Sequence, residues 1–135
     1  MKQFLALAKS LIIPRTLKRV EDVKIPSEYH TLQFNIDPDK AAQTQEFLTF
    51  ILDRVREPKE QITFLDFGAG KGYLSQCAGY DYGLRSIAIE ASERHAISLC
   101  RRNAALQRQF YKDAPSNIKY FIAFADRSIS PDMLS

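Results

Sequence analysis

The sequence has few of the residues that indicate a metal-bound, disulfide-linked or membrane-embedded protein. Its only cysteines, Cys77 and Cys100, belong to no CxxC or Cys/His cluster, so neither a zinc site nor a disulfide framework is predicted and a reducing compartment is expected. The histidines, His30 and His95, have no partner at ligand spacing, and we expect structural or surface roles for them. No apolar run approaches the roughly 20 residues that a membrane span requires.

Acidic residues are absent before Glu21, whereas five basic residues occur there, so the net charge of +3 belongs to this leader. Apolar residues recur at helical spacing over Met1–Ile13 until Pro14 stops the pattern, which predicts an amphipathic basic helix. We interpret it as an accessory helix that packs on the domain of a cytoplasmic protein. The alternative is a mitochondrial targeting segment, because such segments are basic and poor in acidic residues.

The rest of the chain suits one compact domain, since 45% of the residues are apolar. The segment Glu21–Gln33, which contains Pro26, is typical of a linker. We therefore predict a leader helix and linker over residues 1–34 and a single domain over residues 35–135.

The domain shows the alternation of strands and helices that is typical of a parallel α/β sheet. A first helix starts at Asp37 and Pro38, with a capping residue followed by proline. Its predicted apolar face consists of Phe47, Phe50, Ile51 and Val55. The elements predicted after it are a strand at Ile62–Phe67, a short helix from about Lys71 to Ala78, a strand at Arg85–Glu90, a helix capped by Ser92 that buries Ala96, Leu99, Asn103 and Leu106, and a strand at Ile118–Phe124. The arginines of the last helix are predicted to form mostly a solvated face.

All five glycines fall between Gly68 and Gly83, and three of them alternate directly after the first predicted strand. In a parallel sheet the ligand lies outside the carboxyl ends of the strands, where glycines allow it to approach the backbone. Glu90 ends the second strand, where a carboxylate can accept hydrogen bonds from both hydroxyls of a ribose. Loop and carboxylate together predict a nucleoside site.

The spacing of the glycines disfavours two common nucleotide sites. A dinucleotide fingerprint, GxGxxG, requires glycine at the position of Tyr73. A phosphate-binding loop, GxxxxGK[ST], requires lysine after its last glycine and then serine or threonine, whereas Lys71 precedes Gly72 here. Neither NAD nor ATP is therefore the first choice of ligand.

The string FLDFGAGKGYLS, from Phe64 to Ser75, resembles the first motif of class I S-adenosylmethionine methyltransferases. It is most similar to the subgroup reading DxGxGKGxLS, which also resembles some tRNA-modifying methyltransferases. The resemblance implies that Asp66 orients the loop or meets the methionine amino group, that Glu90 holds the ribose, and that Asp126 contacts the adenine amino group unless it is only a surface residue closing the third strand. The cofactor-binding loop positions that it implies are Gly68, Ala69, Gly70, Lys71, Gly72 and Tyr73.

The resemblance also implies a Rossmann-like fold of seven strands, of which this chain supplies about three parallel ones. The substrate-side half, where catalytic residues commonly lie, is missing, so no catalytic residue is predicted. Three functions are left open. The chain is an S-adenosylmethionine-binding methyltransferase whose acceptor is RNA or protein, a non-catalytic scaffold whose open sheet edge is covered by a partner chain or a second copy, or an NAD-type nucleotide-binding protein.

Overall fold

The computed structural model describes residues 23–113 and 118–122, and these ranges form a parallel three-stranded sheet with helices packed on it. The strands are β1 (Thr63–Phe67), β2 (Arg85–Glu90) and β3 (Ile118–Ile122), arranged in the order β1-β2-β3. The α/β class and the incomplete Rossmann-like sheet are therefore confirmed. The predicted leader helix, the last two residues of the predicted third strand and Asp126 lie outside the described residues.

In the part of the chain that the structure describes, three α-helices connect or precede these strands: α1 (Pro38–Leu52), α2 (Tyr73–Gln76) and α3 (Glu93–Phe110). The short α2 continues as a π-helical turn at Cys77–Asp81, and 3₁₀ turns occur at His30–Leu32 and Lys59–Gln61. The caps predicted from sequence are present: Asp37 Oδ1 accepts from the Asp39 N–H at 3.0 Å, and Ser92 Oγ accepts from the His95 N–H at 3.4 Å.

The strands lie side by side in the same order as in the chain, so both β-α-β connections move in the same direction across the sheet. Crossovers of this kind are right-handed, so α2 and α3 lie on the same face. Contacts agree with this arrangement: Gln76 Nε2 donates to the Leu99 carbonyl at 3.1 Å, and a Cβ added at Gly79 would approach Ile118 Cγ1 to 2.5 Å. Because side chains alternate along a strand, Leu65 and Phe67 of β1 point to the opposite face.

The apolar face of α1 differs from the sequence prediction. The buried residues are Ala41, Ala42, Thr44 and Leu48. Phe47 is 43% exposed and the helix ends at Leu52, before Val55. Ala41 and Leu48 belong to the same core as Leu84 of the segment before β2. Small residues allow α1 to approach the domain closely, and this orientation turns Phe47 away from the core.

The segment predicted as a linker packs on the domain over its described part. Leu32 is buried in the core, and the backbone carbonyls of Thr31 and Phe34 accept hydrogen bonds from Arg102 Nη2 at 2.6 and 2.9 Å. The same guanidinium donates to Gln76 Oε1. Arg102 is therefore an exception to the predicted solvated arginine face, because irregular backbone needs donors and a guanidinium offers five in a fixed fork.

We predict that replacing this arginine lowers the stability of the whole domain. Arg102→Met keeps the length of the side chain but leaves carbonyl groups without their donors, so the free energy of unfolding should fall by about 2–4 kcal/mol. Arg101→Met is the matched control, because Arg101 is exposed on the same helix and its loss should cost less than about 0.5 kcal/mol. Denaturant unfolding measures both; equal effects would contradict the assigned role of Arg102.

Candidate cofactor-binding site

The glycine loop leaves the carboxyl end of β1 and is fixed at once to the neighbouring strand. The N–H groups of Gly68 and Ala69 both donate to the Ile89 carbonyl, at 2.8 and 3.1 Å. The Gly72 N–H then donates to the Ala69 carbonyl at 2.8 Å and closes the turn that starts α2. The loop is therefore a defined turn at the carboxyl ends of β1 and β2, where ligands of parallel sheets bind.

The glycines of this loop have two different functions. A Cβ placed on Gly70, whose φ is +58°, would meet nothing within 4 Å, so the backbone there borders open space. Gly72 has a φ of +76° and is closely packed, because a Cβ there would lie 2.7 Å from Leu99 Cγ. Gly70 thus leaves room beside the loop for a ligand, whereas Gly72 allows α2 to pack against α3.

Glu90 connects the loop to the start of α3. Its Oε2 accepts from the Gly70 N–H at 2.6 Å and its Oε1 accepts from the Ser92 N–H at 2.7 Å. The hydrogen bond from the Ser92 N–H has the largest effect on Glu90 and lowers its pKa. The Gly70 N–H and His95, whose Nδ1 lies 3.9 Å from Oε1, lower this pKa further, whereas burial raises it. Glu90 is 8% exposed, and a carboxylate has more acceptor sites than the hydrogen bonds from Gly70 and Ser92 occupy.

Asp66 is the second carboxylate of the site. Burial raises its pKa and the negative charge of Glu90 adds to the rise, whereas hydrogen bonds from Ser75 lower it. The Ser75 hydroxyl donates to Asp66 Oδ2 at 2.5 Å. Because Ser75 belongs to α2, this bond sets the orientation of the carboxylate relative to the loop.

A cleft of about 480 Å³ separates the loop from α1. Several residues predicted from sequence line it: Asp66, Gly68, Ala69, Gly70, Lys71 and Tyr73. Leu74 and four residues of α1 complete the lining: Lys40, Gln43, Thr44 and Phe47. Glu90 and Gly72 are not part of the lining: Glu90 bonds to the loop from the end of β2, and Gly72 packs on α3.

Sequence reasoning missed the α1 wall of this cleft. Gln43, Thr44 and Phe47 follow Lys40 by three, four and seven positions, and this spacing places all four residues on one side of a helix. The signal was present in the sequence, but Phe47 was assigned to the core because it is apolar. Phe47 points outward because small residues of α1 occupy the side of the helix that faces the core.

Two other kinds of site find no support in the described part of the chain. No group of three histidine, cysteine, aspartate or glutamate side chains is placed to hold a metal ion within residues 23–113 and 118–122. In the same ranges, no helix combines the length and hydrophobicity that crossing a membrane requires.

A parallel α/β sheet with a glycine loop and a carboxylate at the ends of adjacent strands defines a Rossmann-like, class I methyltransferase type of domain. A family model described as a methyltransferase domain matches residues 39–129, about two thirds of the chain. The chain therefore belongs to this methyltransferase-domain family, and proteins with such domains generally use S-adenosylmethionine. A search of curated proteins found no match.

We predict that Gly72 contributes to packing as well as to backbone conformation. Alanine at Gly83, where φ is +71° and a Cβ would meet nothing within 4 Å, should cost only the about 1–2 kcal/mol of the left-handed conformation. Gly72→Ala should cost about 1–3 kcal/mol more because Leu99 is fully buried and has little room to move. Denaturant unfolding of the two variants tests this difference, and equal losses would show that Leu99 accommodates the methyl group.

Proposed function

We propose that this chain binds S-adenosylmethionine along the glycine loop, with the methionine end in the cleft toward α1 and the ribose at Glu90, and takes part in methyl transfer to an RNA or protein acceptor. The observation that carries the proposal is the pair of hydrogen bonds from Gly70 and Ser92 to Glu90. They fix a carboxylate beside a glycine loop at the ends of β1 and β2. This arrangement suits a ribose next to a ligand that lies against bare backbone.

The residues present fit the groups of this cofactor. The two hydroxyls of a ribose can donate to Glu90, which has more acceptor sites than the hydrogen bonds from Gly70 and Ser92 occupy. The open space beside Gly70 leaves room for the ligand at the loop. Asp66 lines the cleft and offers its carboxylate to the ammonium group of the methionine end.

The chemistry of the reaction is supplied by the sulfonium of the cofactor, which makes its methyl group electrophilic. This chain holds and orients the cofactor, with Glu90 at the ribose, Asp66 at the methionine end and the loop between them. Methyl transfer requires an acceptor atom in line with the methyl group, so orientation contributes much of the rate. The described residues provide this positioning on the cofactor side of the reaction.

We predict that the purified chain binds S-adenosylmethionine and S-adenosylhomocysteine but not NAD, as measured by calorimetry. Glu90→Ala should weaken both affinities by about 10- to 100-fold, because a hydrogen bond to a charged group contributes about 1.5–3 kcal/mol. Glu90→Gln retains the length of the side chain and one acceptor oxygen, so its affinity should lie between those of the wild type and Glu90→Ala, and thermal unfolding of both variants shows whether the loop contact is lost.

Tight NAD binding without any response to S-adenosylmethionine would contradict this proposal. Incubation with labelled S-adenosylmethionine and total RNA or protein extract tests the transfer step. Binding of the cofactor without turnover on either extract would favour a non-catalytic function.

A scaffold function is the second candidate, and the exposed side of β1 favours it. Leu65 is 37% exposed and Phe67 is 51% exposed, although parallel sheets normally have both faces covered. Within the described residues β1 pairs with β2 alone, and an open edge with apolar side chains is a site for association. On this alternative a second copy of the chain covers β1.

We predict for this alternative that sedimentation shows a concentration-dependent dimer. Phe67→Lys should shift it to monomer, because a charge on the contact face is costly to bury. Ile97→Lys is the matched control, since Ile97 is 42% exposed on α3, away from β1. A wild-type chain that stays monomeric at every concentration, or equal effects of both variants, would exclude a homodimer through β1.

A further inference from the structure

The α1 wall of the cleft, formed by Lys40, Gln43, Thr44 and Phe47, carries a lysine to which the proposed function assigns no role. Lys40 and Gln43 are exposed, line the cleft and lie one turn apart on α1. We infer that Lys40, with the amide of Gln43, binds the carboxylate of the methionine end of the cofactor and so selects ligands that carry an amino-acid group. This inference rests on the proposed function, because it concerns the same cleft.

The first argument is that the two side chains are oriented toward each other. Lys40 Nζ donates to Gln43 Oε1 at 3.4 Å. The carbonyl of the Gln43 amide is therefore engaged, and its NH₂ group, with two donors, remains available. An ammonium and an amide NH₂ on one side of a cleft present only donors, which suits a carboxylate.

The second argument is that the wall is held in a fixed position. The side chain of Asp37 accepts from the backbone N–H of Lys40 at 3.3 Å, and Thr44 Oγ1 donates to the Lys40 carbonyl at 2.8 Å. Ala41 and Leu48 are buried in the core. The helix backbone that carries Lys40 is thus anchored on the domain, so the entropy lost on binding falls mainly on the lysine side chain itself.

The third argument is the distribution of charge along the cleft. An amino-acid group carries an ammonium and a carboxylate, and therefore requires a nearby acid and a nearby base. Asp66 is the acidic residue of the cleft lining, and Lys40 and Lys71 are the basic ones. Lys40 lies beside a second donor side chain, the Gln43 amide, whereas Lys71 belongs to the loop on the other side of the cleft. The pair of donors on α1 assigns the carboxylate to Lys40.

Two ligands that differ only in the amino-acid group test this inference. S-adenosylhomocysteine has that group, whereas 5′-methylthioadenosine has the same nucleoside and thioether without it. Calorimetry on the full chain should show that Lys40→Met weakens the binding of S-adenosylhomocysteine by about tenfold or more. The affinity for 5′-methylthioadenosine should change by less than about twofold, and Lys40→Arg should keep most of the affinity for both.

Three further variants make the result specific. Glu90→Gln should weaken both ligands by a similar factor, because both carry the ribose. Lys24→Met, at an exposed lysine outside the cleft lining, should change neither affinity. Lys71→Met should also fail to separate the two ligands. Thermal unfolding of each variant verifies that the domain is intact.

Each contrary outcome has a separate meaning. An equal loss of both ligands in Lys40→Met would overturn the inference and leave the proposed function standing. A selective loss in Lys71→Met without one in Lys40→Met would assign the carboxylate to the loop lysine and also overturn it. Failure of the wild-type chain to bind either ligand would refute the proposed function itself, and the inference with it.

Discussion

The two hydrogen bonds to Glu90 organise the site, because one carboxylate joins the loop after β1 to the end of β2 and the start of α3. Gly70 belongs to the loop after β1, Glu90 ends β2, and Ser92 caps α3. Without this connection the loop would be held to β2 mainly by the bonds from Gly68 and Ala69 to the Ile89 carbonyl. A carboxylate buried at this position also needs the N–H groups, since an unpaired buried charge is strongly unfavourable. The loop and the carboxylate therefore stabilise each other.

Arg102 performs a comparable function on the opposite side of α2. Its guanidinium bonds to the segment before α1, to Gln76 of α2, and lies 4.7 Å from the ring centre of Tyr73. Asp81 reinforces this connection, because it accepts from the hydroxyls of Thr31 and Tyr111. The segment that leads into α1 is thus fixed to the helix that follows the glycine loop. The contacts of Arg102 and Asp81 therefore hold both walls of the cleft and help to set the distance between them.

Much of the fold could be predicted from the sequence because its signals are local. The predicted strand at Arg85–Glu90 and the period-3.6 pattern of α3 agree with the observed residues, and the caps at Asp37 and Ser92 are chemical signals within a few residues. The glycine spacing located the loop for the same reason. The roles of Arg102 and Phe47 depend on contacts between distant segments. The carbonyls that bind Arg102 lie about 70 residues earlier in the chain. The helical period places Arg102 beside the buried face, three residues after Leu99 and four before Leu106, but it does not reveal these distant partners.

The two sides of β1 differ in what covers them. On the helix side, Asp66 is oriented by Ser75 and the loop is held by β2, and these contacts join β1 to the elements that follow it directly. Within the described residues, the β-α-β-α unit and α1 therefore supply the lining of the cleft. On the other side, Leu65 and Phe67 lack such cover and are largely exposed. Because the two sets of residues alternate along one strand, covering the exposed face would bury Leu65 and Phe67 without displacing Asp66 or the loop. The proposed cofactor binding and the alternative association through β1 thus use different sides of the strand, so neither proposal requires or excludes the other.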